Sequence, residues 1–325
     1  MSRRRFLLAS ILSLAGWRAA SAQPKTARIG FLWTSNIEAQ YLEAFRMGLR
    51  DLGHVEGRNV LLEQRSAAGS VPNLDALAQE LIGTGVDLVV TQGTPAARAA
   101  AKATSKIPIV VALGEPLGAR LVTGFSRPGG NVTGLTVLAS ELNAKRLELL
   151  KEMNPKASRL AVLFDPTATN ADGAPLLRTK ELETAARSLG VRLTVLPVKG
   201  LEEFSKAFAA AAEARVDAVL LSPSPVLSFH NTQLVDLAAR HRLPAVYGNP
   251  ESVKLGGLMS YGPSYTALFR RAATYVDKIL KGANPAELPI EQPVSFELAI
   301  NLATAKALGI SVPRALVLRA DHVIQ

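Results

Sequence analysis

The chain contains no cysteine. That excludes disulfides, thiol nucleophiles and cysteine-based zinc sites, and it removes the lipid-attachment cysteine that can follow an export leader. Aromatic residues are scarce, at 5%, and no basic tract interleaved with aromatics exists to make a nucleic-acid surface. No apolar run reaches the roughly 20 residues that span a bilayer. Locally spelled enzyme signatures are missing too: no Gly-x-Ser-x-Gly elbow, no phosphate-binding glycine loop with lysine, no His-Glu-x-x-His and no Gly-x-Gly-x-x-Gly. The four histidines, His54, His230, His241 and His322, are scattered. No catalytic residue, metal or cofactor is expected.

What is present begins with a leader. Met1–Arg5 carries three arginines, Phe6–Ala15 is apolar, and Ala20-Ser21-Ala22 supplies small residues for cleavage before Gln23. Residues 1–22 therefore read as a signal peptide, and Ser2-Arg3-Arg4-Arg5-Phe6-Leu7 has the twin-arginine pattern. Export to the periplasm as a soluble protein is the expectation. Net charge is +10, and removing the four leader arginines leaves +6. The remaining cations are interleaved with acids, as in 178–187, which describes a solvated surface.

From Arg28 onward short apolar runs alternate with amphipathic helical stretches. Strands are predicted at 28–33, 59–64, 86–91 and 107–111, with helices at 38–52, 73–82 and 95–104 between them. This rhythm predicts a parallel sheet with right-handed crossovers. A turn-rich stretch, Arg127–Asn131, interrupts it, a strand-like 132–137 follows, and the rhythm restarts with helices at 141–153, 176–189, 201–214 and 226–241. Strands at 159–164, 191–198, 216–221 and 245–247 alternate with them. Gly85–Val90 is echoed by Arg215–Leu220. A strand at 257–261, a helix at 265–280, an extended 290–297 and a helix at 302–308 are left over. The economical arrangement sends them back to the first unit and then to the second. The expected architecture is thus α/β: two Rossmann-like lobes with parallel sheets and a three-strand hinge. Lobe 1 comprises 24–138 plus 262–288, and lobe 2 comprises 139–261 plus 289–325.

Open α/β sheets bind ligands outside the carboxyl ends of their strands, so the strand ends supply the candidates. The first strand ends in Trp33-Thr34-Ser35, where Trp33 could stack on a ligand. The strand at 86–91 ends in Gln92-Gly93-Thr94, with Thr94 an expected N-cap before Pro95 and its free N–H groups suited to a carboxylate. Glu115 follows 107–111, and a carboxylate there could receive an ammonium or a hydroxyl. In the second unit Asp165 and Asn170 follow one strand, Ser224 precedes Pro225 after another, and Tyr247 and Tyr261 put rings at two further ends. A helix cap or core packing explains each of these as well; together they describe a crevice for a small organic molecule.

Arg127–Gly134 (RPGGNVTG) brings the chain to a recognisable pattern. With Ala44–Leu49, Gly53–Asn59, Gln92–Ala96, Ala144–Leu150, Gly256–Gly262 and Tyr275–Gly282, it resembles the ABC-transporter substrate-binding family that includes tryptophan/tyrosine transporter binding proteins. The resemblance covers nearly the whole mature chain. It implies a type I periplasmic-binding fold, solute capture without catalysis, and permease and ATPase subunits as partners. The protein is then expected to be a monomer that meets the inner membrane only through the permease. Where many relatives have Asp-Pro-Val after the fourth strand, this chain has Glu115-Pro116-Leu117, a departure that bears on the ligand. A sensory module serving a membrane receptor, or a secreted α/β enzyme, is the alternative reading.

Overall fold

The computed structural model describes residues 26–137, 142–166 and 179–325. The expected leader, the expected lobe boundary at 138–139 and Asn170 lie outside them. The chain opens with β1 (Ala27–Trp33), α1 (Ala39–Asp51), β2 (Val60–Ser66), α2 (Leu74–Gly83), β3 (Leu88–Gln92), α3 (Thr94–Ala103), β4 (Ile109–Leu113) and β5 (Val132–Gly134). The five strands form one parallel sheet in the order β2-β1-β3-β4-β5. β3 and β4 are buried along their whole length, as helices on both faces require. The pleat of β1 sorts its side chains. Ile29, Phe31 and Trp33 join the core under α1, while Leu32 joins the core under α2 and α3.

The second unit runs α4 (Asn143–Met153), β6 (Arg159–Phe164), α5 (Thr179–Ser188), β7 (Arg192–Pro197), α6 (Leu201–Glu213) and β8 (Ala218–Leu221). It continues with α7 (Pro225–Phe229), α8 (Asn231–Arg240), β9 (Ala245–Tyr247), α9 (Pro250–Lys254) and β10 (Met259–Pro263). Then come α10 (Tyr265–Leu280), β11 (Phe296–Asn301), α11 (Leu302–Ala307), α12 (Arg314–Arg319) and β12 (His322–Ile324). Seven strands pair in the order β12-β11-β10-β9-β8-β6-β7, all parallel except β10 against β11.

α10 follows a strand of the second sheet yet packs on the first. Its stripe Leu268, Phe269, Ala272, Ala273 and Val276 has helical spacing and enters the core of β1 and α1. Each such buried large side chain contributes about 1.5–3 kcal/mol. The chain therefore passes between the sheets three times: after β5, between β10 and α10, and before β11. These passages lie side by side. Thr136 N–H donates to Glu291 O at 2.9 Å, and Ser264 N–H to Ser295 O at 3.0 Å. The result is α/β with two Rossmann-like lobes and a three-strand connection.

Two sequence expectations need correction. The extended segment expected at 290–297 is mostly passage; the strand proper starts at Phe296 and runs to Asn301. The single helix expected at 226–241 is two, α7 and α8, broken at His230, whose φ of −101° and ψ of 23° are not helical.

Candidate functional site

A cavity lies between the carboxyl ends of the two sheets and encloses about 800 Å³ of empty space, its mouth included. On the first-lobe side the wall is made by Ser35, Gln92, Gly93, Thr94, Leu113 and Glu115. Gln92 Oε1 accepts from the N–H groups of Thr34 (3.1 Å) and Ser35 (3.3 Å), which leaves its amide NH₂ as the donor. Gly93 has φ +93°, and a Cβ there would stand 2.5 Å from Thr34 Oγ1, so only glycine fits this turn. Gly93, not Thr94, is the N-cap of α3. The Thr94 hydroxyl instead accepts the Glu115 N–H at 2.9 Å, tying the ends of β3 and β4 together. The first-turn N–H of Thr94 has no intrahelical acceptor and carries the positive end of the helix dipole.

The second-lobe wall is built from short capped helices. Ser224 Oγ caps α7 by accepting from Leu227 N–H at 3.1 Å, and Asn249 Oδ1 caps α9 by accepting from Ser252 N–H at 3.2 Å. Asn231, the first residue of α8, is tied to α9 by Ser252 Oγ, which donates to Asn231 Oδ1 at 3.0 Å. Pro223, Ser228 and Glu251 complete this side. Tyr41 on α1 and Tyr265, the first residue of α10, line the cavity with their rings edge to face at 5.7 Å. Contacts also cross the cleft directly. Gln40 Nε2 donates to Glu251 Oε1 at 2.7 Å, and Lys254 Nζ reaches Gln40 Oε1 at 3.5 Å. At another point Phe229 lies on the Gly69 turn, where a Cβ would meet its ring at 2.6 Å.

The electrostatics are one-sided. Glu38, Glu115 and Glu251 line the cavity, and among the described residues no lysine or arginine does. Burial, and then the charge of Glu251, raises the Glu38 carboxyl above its ordinary range. Burial, reinforced by Glu251, also pushes the Tyr41 hydroxyl up, and burial brings Tyr265 to about 12. Behind the cavity Arg146 of α4 is fully buried, donating to Tyr261 O and Asn143 Oδ1 at 2.7 Å each. Burial lowers it to about 10, so it stays charged at neutral pH.

Of the sequence candidates, Ser35, Gln92, Gly93, Thr94, Glu115 and Ser224 line this cavity. Thr34 does not; it is fully buried beneath them, and its hydroxyl donates to Gln92 O at 2.8 Å. Asp165 is buried at the end of β6 away from the lining. The three expected rings are elsewhere as well. Trp33 stacks on Phe31 (4.5 Å) and Phe269 (5.5 Å) within the core, and Tyr247 is buried among the residues of α6 and α8. Tyr261 stacks on Phe296 at 6.1 Å. Strand ends do bring side chains to the cleft, but the pleat sends Trp33, Tyr247 and Tyr261 onto sheet faces. The sequence reading missed Glu38, Tyr41, Asn231, Asn249, Glu251 and Tyr265. Asn249-Pro250 repeats the Ser224-Pro225 capping pattern, and that signal would have located α9 and the cleft face beside it.

The chain is similar to known proteins in sequence and fold. A tyrosine-binding protein from Clostridioides difficile (strain R20291) is 27% identical over 268 residues, 82% of this chain and 75% of that one. Among solved structures, a conserved domain protein from Vibrio cholerae superposes with a TM-score of 0.82 at 28% identity, covering 92% of this chain and all of the other. An ABC domain from Streptococcus pneumoniae, solved in complex with L-Trp, gives a TM-score of 0.81 at 24% identity over the same shares. The family model described as ABC transporter substrate binding protein matches residues 37–324. With that match spanning far more than half of the chain, this protein belongs to the ABC transporter substrate binding protein family.

Proposed function

We propose that the protein is exported to the periplasm, captures an α-amino acid with an aromatic or part-apolar side chain between its lobes, and delivers it to the permease and ATPase of an importer. One observation carries this reading: a single cavity has donors, carboxylates and two tyrosine rings on its first-lobe side, faced across the cleft by Ser224, Asn231, Asn249 and Glu251 of the second lobe. Thr94 N–H and hydroxyl with the Gln92 amide suit the ligand carboxylate. Glu38, Glu115 and Glu251 suit its ammonium, and Tyr41, Tyr265, Leu113 and Val137 suit the side chain.

The lobe limits at 138–139, 261–262 and 288–289 belong to this proposal, as does a monomeric state. A ligand that touches both walls favours the closed form because only that form supplies the whole site. The tyrosine-binding name of the C. difficile relative and the L-Trp held by the S. pneumoniae structure support an aromatic amino acid. The arginine-rich leader supports export.

Thermal unfolding of ligand-stripped protein with L-tyrosine, L-tryptophan and the other amino acids tests the proposal. At 100-fold excess over Kd the ligand should add about 2.7 kcal/mol, a rise of several degrees in Tm. A flat response to every amino acid would refute it.

A further inference from the structure

We propose that the second lobe carries a separate binding pocket, between α8 and α11, for a small aromatic acid that bears a second oxygen. The pocket has a volume of about 140 Å³, and apolar cavities of about 150 Å³ take up a molecule the size of benzene. None of the residues lining it lines the cleft. It lies at the amino ends of β9 and β10, beside Leu243, Ala245 and Leu258, whereas the cleft lies at the carboxyl ends of the strands. The proposal therefore stands whatever the cleft binds.

Three features distinguish this pocket from a gap in the packing. Its body is apolar, with Val235 and Ala238 of α8 facing Leu258 and Leu308, and its mouth is kept open by two exposed small residues, Ala239 and Ala307. At the floor, Tyr247 is buried, and its hydroxyl has no hydrogen-bond partner among the described residues. The far edge of its ring lies against Gly257, a lining residue where a Cβ would meet Cε2 at 2.7 Å, which directs the hydroxyl end to the pocket. A buried hydroxyl without a partner is costly, and an acceptor oxygen on a ligand removes that cost. Burial raises this phenol above the ordinary tyrosine range, so it stays protonated and able to donate. At the mouth, exposed Arg242 donates from Nη2 to Ala307 O at 3.3 Å. That bond fixes the guanidinium between the end of α8 and the end of α11, with further N–H groups left for an anion.

The two cavities therefore have opposite polarity. The cleft is lined by three carboxylates and, among the described residues, by no lysine or arginine. The pocket is lined by an arginine and a tyrosine hydroxyl and, among the described residues, by no aspartate or glutamate. Its other side-chain polar group, the Thr304 hydroxyl, already donates to Gly256 O at 2.8 Å. An ammonium finds no carboxylate here to neutralise it. A carboxylate at Arg242, an apolar ring in the body and an acceptor oxygen toward Tyr247 match every group present, and the hydroxybenzoates have that chemistry.

Calorimetry with benzoate and 4-hydroxybenzoate tests the assignment. In the unaltered protein 4-hydroxybenzoate should bind saturably and about tenfold more tightly than benzoate. Ala239→Trp changes an exposed helix position, fills the mouth and should abolish binding of both acids. Arg242→Gln should weaken both by about tenfold. Tyr247→Phe removes the hydroxyl and keeps the ring, so it should erase the advantage of 4-hydroxybenzoate and leave benzoate unchanged. Thermal unfolding of each variant checks that the fold is retained. Failure of 4-hydroxybenzoate to saturate the protein would overturn the proposal. So would binding that persists in Ala239→Trp, which would put the acid in the cleft instead, or an advantage that survives in Tyr247→Phe.

Discussion

The two walls of the cleft are built differently. The first-lobe wall is backbone and strand end, pinned from beneath. Gln92 holds the turn after β1, Thr94 holds the end of β4, and Gly93 N–H donates to Leu113 O at 2.6 Å. The second-lobe wall is side chains at α7 and α9, helices of five residues each, with α9 tied to α8 by the Asn231–Ser252–Asn249 contacts. A wall pinned by its own hydrogen bonds loses little entropy when a ligand arrives, whereas side-chain caps on short helices adjust as the lobes meet. The first wall therefore governs affinity, and the second governs closure and selectivity.

Breaking the first wall should cost most. Gly93→Val forces φ +93° on a β-branched residue and drives its Cβ into the Thr34 hydroxyl. Strain of this kind costs about 1–3 kcal/mol, and binding should fall beyond detection by calorimetry while circular dichroism still reports a folded α/β protein. Thr94→Ala is milder. It removes one acceptor for Glu115 N–H and one ligand donor, for an affinity loss of about tenfold, equivalent to about 1.4 kcal/mol. Full affinity in this variant would show that the pinned wall is not the affinity site.

On the second wall the effects should be smaller and of another kind. Phe229→Ala removes the ring that crosses to Gly69, a side chain that does not itself line the cavity. Affinity should weaken about threefold, through faster dissociation, since most affinity changes in one complex lie in koff. Stopped-flow kinetics would check this, and a change confined to kon would contradict it.

The smallest effect is a pH dependence of closure. Glu38 is raised in the closed cleft, by burial and then by Glu251, and relaxes to an ordinary carboxyl when the lobes part. The empty closed form is accordingly favoured below the ordinary carboxylate range, and that advantage is lost as pH rises through the raised value. The radius of gyration of the empty protein should increase over this interval and stay constant with amino acid bound.

The same contrast sets what could be read from the sequence. The first wall was legible because it follows local rules: strand, glycine and helix start occur in order at Gln92–Pro95, and strand, glycine and turn occur in order at Leu113–Pro116. The parallel sheets and the return of α10 to the first lobe were legible from periodicity and from counting leftover elements. The second wall depended on Ser224 alone, because Glu251 and Asn249 sit on a helix too short to show a period. Aromatic residues at strand ends misled, since parity along the pleat, not proximity to the end, decides which way a side chain points. Trp33 shares parity with Ile29 and Phe31 and so belongs to the core. Tyr41 and Tyr265 reach the cleft from helices that no local pattern ties to it.

Small-angle scattering of ligand-stripped protein, recorded with and without an amino acid that calorimetry shows to bind, tests the two-wall closure directly. The account predicts a smaller radius of gyration with the ligand and a shift that depends on both Thr94 and Glu251. An identical profile for the saturated and the empty protein would contradict it.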